Sequence, residues 1–166
     1  AVPKDSRSCN IKKPLKCAPL LLIVLLWLAL DHYRIYVNVS PSLPQKYWLV
    51  AYGKLPKRGD YVCFMPLPAI AKEYGFSKNV TWTKQVLGVP GDLVTRQNRD
   101  FYINGKYVAT AKTHSLKGEI LNVGLTGTLK SGQYYISTPH KDSFDSRYEK
   151  MGWLNESQMV GVAYPL

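Results

Sequence analysis

Val80-Thr-Trp-Thr-Lys-Gln-Val-Leu-Gly-Val-Pro-Gly-Asp92 decides the fold. β-Branched and aromatic residues crowd Val80 to Val86, and Val-Pro-Gly-Asp supplies a turn, so the stretch predicts a strand and its exit. Side chains alternate between faces along a strand, which puts Val80, Trp82, Lys84 and Val86 on one side. One ammonium thus lies in an apolar row. Burial disfavours the charged form, so a lysine held there is pushed towards neutrality and becomes a candidate general base. The competing reading is a lysine that snorkels to solvent at the sheet edge.

The 166 residues hold one ordinary domain plus a tail. A hydrophobic content of 46% is that of a globular protein. The formal charge of +11 admits nucleic acid or an anionic membrane as partner. It is not gathered into one basic run, and no nucleic-acid partner is expected. Cys9, Cys17 and Cys63 imply no disulfide framework. Together with the scattered His32, His114 and His140 they show no metal-ligand spacing, so neither metal nor other cofactor is expected.

Residues 1–16 carry Lys4, Arg7, Lys12, Lys13 and Lys16 against one acid, Asp5, and read as a basic cytoplasmic tail. Cys17 to Leu30 is uncharged and apolar. A basic flank ahead of such a run predicts an anchor with the following chain exported. Fourteen residues rise only about 21 Å as a helix, against a hydrocarbon core of about 30 Å. The anchor is therefore drawn over 17–37, with Lys16 snorkelling and Tyr33, Ile35, Tyr36 and Val37 entering the far interface. A cleaved signal peptide or a buried helix are the rivals. The first lacks spaced small residues at its end and the second lacks a polar face.

The remainder, 38–166, reads as one mainly β domain. Asn38 to Trp48, with Pro41 and Pro44, is a rigid extended connection. Ser40 and Ser42 face the same way in it. Tyr47–Tyr52, Tyr61–Met65, Leu93–Arg96, Phe101–Ile103, Lys106–Ala109, Gln133–Ile136 and Met159–Ala163 predict strands. Asn104-Gly105 marks a two-residue hairpin turn. Pro68 to Tyr74 predicts a short helix ended by Gly75. Residues 110–130 show no clear element.

Serine is a weak nucleophile until a base takes its proton, and a neutral lysine can serve. Ser42 in a proline-braced turn and Lys84 on an apolar strand face are the candidates; the late loop Phe144-Asp-Ser-Arg-Tyr148 is the third piece. In order, Ser40-Pro-Ser-Leu-Pro44, Lys84 to Asp92 and Ser143-Phe-Asp-Ser-Arg-Tyr148 resemble the boxes of the type I signal peptidase superfamily. The form Asn38-x-Ser-x-Ser-x-Pro44 resembles the conjugative-transfer branch, the TraF-type proteases that mature pilin. General leader peptidases usually place that proline three residues after the nucleophile, not two. Gln45-Lys46 and Gln85 depart from the family pattern without removing a group the chemistry needs.

The resemblance implies a signal peptidase/LexA-like β domain with one N-terminal transmembrane helix. It implies Ser42 as nucleophile and Lys84 as general base, with Asp145 counted in the active site of the TraF branch. The Ser42 N–H and the Ser40 hydroxyl would form an oxyanion hole. Ser143 would orient the lysine amine, Arg147 would pair with Asp145, and Gly88 to Asp92 would hold the lysine strand. Blandly read, Ser40 caps a local turn and Asp145–Arg147 only fixes a loop.

The expected function is a single-pass serine endopeptidase on the periplasmic face of the inner membrane. It would process a conjugative pilin precursor, with water or the substrate's own amino end resolving the acyl-enzyme. From Leu30 to Ser42 the chain spans at most about 40 Å, which keeps the site close to the bilayer in this reading. A general signal peptidase acting on many exported proteins and a non-enzymatic, membrane-tethered assembly factor are the alternatives. Residues 110–130 and Pro66 to Gly75 are the expected walls of the site.

Overall fold

The structure, a computed structural model, describes residues 18–38, 40–75 and 80–166. The chain forms two units, 1–31 and 32–166. The first contributes helix α1 (Ala18–His32), whose side chains from Leu20 to Leu28 and at Leu30 are exposed and apolar. Among the described residues no helix is long and apolar enough to cross a membrane.

The second unit is β throughout except for one short helix and a 3-10 turn. In chain order it runs β1 (Tyr33–Val37), β2 (Tyr47–Tyr52), β3 (Tyr61–Phe64), α2 (Pro68–Glu73), β4 (Trp82–Gly88) and β5 (Leu93–Gln97). There follow β6 (Asp100–Ile103), β7 (Lys106–Thr110), β8 (Gly127–Thr128), β9 (Gln133–Ser137), β10 (Leu154–Asn155) and β11 (Met159–Pro165). One sheet has the order β1-β2-β11-β3-β4-β9-β10 and a second the order β7-β6-β5-β8.

The expected anchor over 17–37 divides into two elements, helix α1 and strand β1. Tyr33 to Val37 does not continue α1; it pairs antiparallel with β2, Tyr33 opposite Ala51 and Val37 opposite Tyr47. An apolar stretch of β-branched and aromatic residues suits a sheet edge as well as a membrane interface, and the neighbouring strand offers hydrogen bonds for every other backbone group.

Elsewhere the local signals hold. Asn104 and Gly105 both take positive φ, 50° and 78°, the conformation a two-residue hairpin with right-handed twist requires. In the turn after β4, Gly91 has φ 92°. The Asp92 carboxylate accepts from the Val89 N–H at 2.7 Å, from Asn104 Nδ2 at 2.8 Å and from Arg58 Nη2 at 2.6 Å. Burial pushes the Asp92 carboxyl up, but these donors prevail and hold it below the usual range. The turn is thus pinned to β3's approach and to the β6–β7 hairpin, which fixes where β4 ends.

The main core gathers Val62, Phe64, Val86, Phe101, Leu129, Tyr135 and Ile136. A smaller cluster holds Leu43, Trp48, Val50, Cys63 and Ala163 under the loop that follows β1. Strand β11 threads between β2 and β3, and Gly161 marks a bulge in its pairing with β3. A Cβ on Gly161 would sit 1.9 Å from the Ala51 carbonyl oxygen. Backbone cannot step aside as a side chain can, so Gly161→Ala is expected to cost about 3 kcal/mol or more, read as a lowered urea midpoint.

Candidate active site

The loop between β1 and β2 carries Ser40 and Ser42, and Asn38 shapes it. Asn38 Nδ2 donates to the carbonyls of Leu43 and Gln45 at 3.0 and 3.1 Å, while its Oδ1 accepts the Ser40 N–H at 3.0 Å. Leu43 is buried in the smaller core, so Ser42 is held between an amide clamp and an apolar anchor. Ser40 Oγ and Ser42 Oγ lie 2.8 Å apart in a hydrogen bond.

Lys84 sits on β4 with Val62 of β3 opposite and is 5% exposed. The alternation read from the sequence is present: Lys84, Val86 and Gly88 are buried, with Trp82 half-buried on the same face. Lys84 Nζ donates to Ser143 Oγ at 2.7 Å. Its pKa falls from the ordinary 10.5 to about 8. Burial is the principal cause; the Asp145 carboxylate opposes it and the Arg147 guanidinium assists.

Asp145 and Arg147 lie behind this pair. Asp145 is fully buried; Arg147 Nε and Nη2 each reach one of its oxygens at 2.8 Å, and Ser137 Oγ donates to it at 3.1 Å. Arg147 also donates to the carbonyls of Thr110, His140 and Ser143, at 3.2, 3.2 and 2.9 Å. One guanidinium therefore ties the end of β7 to the loop after β9, beside the serine that holds Lys84. Neither Asp145 nor Arg147 lines the cavity that contains Lys84.

That cavity, about 450 Å³, is lined by Ser40, Ser42, Lys84 and Ser143 and walled by Tyr36, Trp48, Tyr74, Trp82 and Phe144. Ser42 and Lys84 share it. Among the described residues no hydrogen bond joins the two: each is bonded to its own serine partner. The aromatic walls were not foreseen individually, although Tyr74 and Leu116 come from the two segments expected to flank the site. His140, one of three scattered histidines in the sequence, also borders the cavity, its Nδ1 accepting the Asp142 N–H at 3.2 Å. Asn38 was visible only as a letter in a pattern; its clamp on the loop gives that letter a physical reason.

A mainly β domain that presents a serine on a clamped loop and a buried, low-pKa lysine to one cleft has the groups of a Ser/Lys protease. The comparisons give the family. Residues 12–165 match the family "Signal peptidase, peptidase S26", and the chain belongs to it. It is 33% identical over 141 residues to signal peptidase I of Bacillus amyloliquefaciens, an alignment covering 80% of this chain and 63% of that protein. Against signal peptidase I T of Bacillus subtilis it is 30% identical over 141 residues, again 80% and 63%. The chain thus spans just under two thirds of the length of these relatives. A solved signal peptidase I from Enterococcus faecalis superposes with TM-score 0.41 at 24% identity, covering 66% of this chain and 97% of that one.

Proposed function

We propose that this chain is a serine endopeptidase that cuts exported precursor proteins, with Ser42 as nucleophile and Lys84 as general base. The observation that carries the reading is Lys84 itself: an amine buried at 5% exposure, depressed to about 8, in the same cleft as an Asn38-clamped serine. At that pKa roughly one amine in ten is neutral at pH 7, against about one in a few thousand at the ordinary value.

The steps balance with these groups alone. Neutral Lys84 Nζ takes the Ser42 hydroxyl proton as Oγ attacks the scissile carbonyl. The resulting oxyanion is met by the Ser42 N–H and the Ser40 hydroxyl, which is already 2.8 Å from Ser42 Oγ. Lys84 returns the proton to the departing amine, leaving an acyl-Ser42. Water then gives a proton to Lys84 and attacks the ester; as the C–Oγ bond breaks, Lys84 passes that proton to Ser42 Oγ, freeing the acid and restoring both groups. Before the first step Ser42 must exchange its bond to Ser40 for one to Lys84, a change of the kind expected when substrate fills a cleft. Ser143 holds the amine, and Asp145 with Arg147 holds Ser143; both act through Lys84.

Relatives that carry the name signal peptidase I favour the removal of leaders as the reaction. The Asn38 to Pro44 pattern favours the narrower reading, a pilin precursor of the conjugative type, with the cyclic product as its extreme form. Membrane attachment at the inner membrane, with the domain on the exported face, rests on the basic 1–16 segment and the apolar run behind it. The full chain in detergent, incubated with a leader-bearing precursor and with a pilin precursor, tests all of this by product mass. A linear product retains one water that a cyclic one lacks, and Ser42→Ala is expected to release neither. Retained cleavage by Ser42→Ala ends the proposal.

Activity should also follow the base. Because Lys84 must be neutral, kcat/KM is expected to rise about tenfold per pH unit below pH 8 and to level off above it. A rise centred well below pH 8 instead would take the role of base away from Lys84.

A further inference from the structure

A second cavity of about 220 Å³ opens beside the first, and the two share Tyr74, Leu116, Asp142, Ser143 and Phe144. Its floor is aromatic: Phe144 stacks on Tyr148 with centroids 5.5 Å apart, and Tyr74 tilts against Phe144 at 5.3 Å. The charges around its rim are largely spoken for. Lys112 pairs with Asp142 at 2.5 Å and Glu73 pairs with Lys150 at 2.6 Å, while the rim's remaining charges, Lys117 and Glu119, are opposite in sign.

Leu116 stands at the junction of the two cavities and is 82% exposed. It is not there through slackness of the chain. Ser115 Oγ accepts the N–H groups of Lys117 and Glu119 at 3.1 and 3.2 Å, and the Ser115 N–H reaches the Glu119 carbonyl at 2.8 Å. A tight, internally bonded turn thus holds an apolar side chain out at the edge of a cleft, where it contributes nothing to the core.

We propose that the second cavity is a substrate subsite, filled by a bulky apolar side chain of the cleaved polypeptide at one fixed distance from the scissile bond. This rests on the endopeptidase reading. An extended peptide crossing Ser42 and Lys84 leaves the first cavity past Ser143 and Phe144, and there it meets Leu116 on one side and the Tyr74–Phe144–Tyr148 surface on the other. Two ion pairs and two further charges of opposite sign give the rim no strong preference for a charged residue, whereas the aromatic floor rewards apolar area.

The test uses the full chain in detergent and synthetic peptides bearing a small-residue, Ala-x-Ala cleavage site. Each flanking position is in turn Leu or Asp. The expected result is one position at which Leu is cut at least about tenfold better than Asp in kcat/KM. At that position Leu116→Asp brings the ratio close to one, and Leu116→Phe keeps it. Equal rates for Leu and Asp at every position, with cleavage still abolished by Ser42→Ala, overturn the subsite alone. A preference that Leu116→Asp leaves intact overturns it too. No cleavage of any peptide by the wild-type chain overturns the endopeptidase reading and the subsite with it.

Discussion

Lys84→Met is expected to abolish cleavage and, in the same protein, to make the fold more stable. The loss of activity should be on the order of 10³-fold or more, since the variant removes the one group assigned as general base and methionine cannot take a proton. The gain comes from the same burial that makes the lysine useful. Depressing an amine from 10.5 to about 8 costs the charged folded form on the order of 3 kcal/mol at neutral pH. Methionine has similar length and no charge to strand. It does leave Ser143 Oγ without its 2.7 Å partner, a loss of roughly 1–2 kcal/mol. The balance favours the variant by about 1 kcal/mol or more.

The sign can be checked across pH. Below pH 8 both folded and unfolded chains carry a protonated lysine, and the penalty is full. Between pH 8 and 10.5 the unfolded chain binds the proton and the folded one does not, so wild-type stability rises with pH relative to the variant. Urea midpoints of the two proteins should therefore differ by a constant amount up to about pH 8 and converge beyond it. A Lys84→Met protein less stable than wild type at pH 7 would mean that the amine is not held against its preference.

This trade also explains how much of the molecule was legible in its sequence. Lys84 announced itself because period-two alternation is a local property, and β4 keeps it from Trp82 to Gly88. The Asn104-Gly105 hairpin and the end of α2 at Gly75 are local in the same sense, each fixed by a backbone conformation that few residues accept. Strand β1 was not legible as a strand because composition alone does not separate a sheet edge from a membrane interface. Only its pairing with β2 does, and pairing is not local. The insertion of β11 between β2 and β3 joins opposite ends of the domain and left no mark except Gly161, whose reason is a carbonyl on another strand. In the site, the motif letters were readable from resemblance, but their division of labour was not. Asp145 does not line the cleft; its carboxylate is taken up by Arg147 and Ser137, and that depended on where Arg147 finds its carbonyls.

Asp145→Ala is the variant expected to damage the fold most. It leaves a guanidinium 3% exposed without its carboxylate, and breaking one side of a buried pair costs about 3–5 kcal/mol. The carbonyls of Thr110, His140 and Ser143 retain Arg147's remaining N–H groups, but carbonyl dipoles do not neutralise a charge. Asp145→Asn separates position from electrostatics. The amide oxygen can still take one Arg147 N–H and so preserve much of the loop that carries Ser143. Its lost charge, however, no longer favours the Lys84 ammonium, while Arg147 continues to disfavour it. Both effects point the same way, so Lys84 should titrate below its wild-type value and the rise of kcat/KM should move to lower pH in Asp145→Asn. An aspartate that touched the reacting atoms would act otherwise: its replacement would lower kcat/KM evenly across the profile and leave the midpoint where it was. The direction of that midpoint, together with the thermal midpoint of Asp145→Ala, decides whether Asp145 works on the substrate or on the lysine; its absence from the lining of the cleft favours the second.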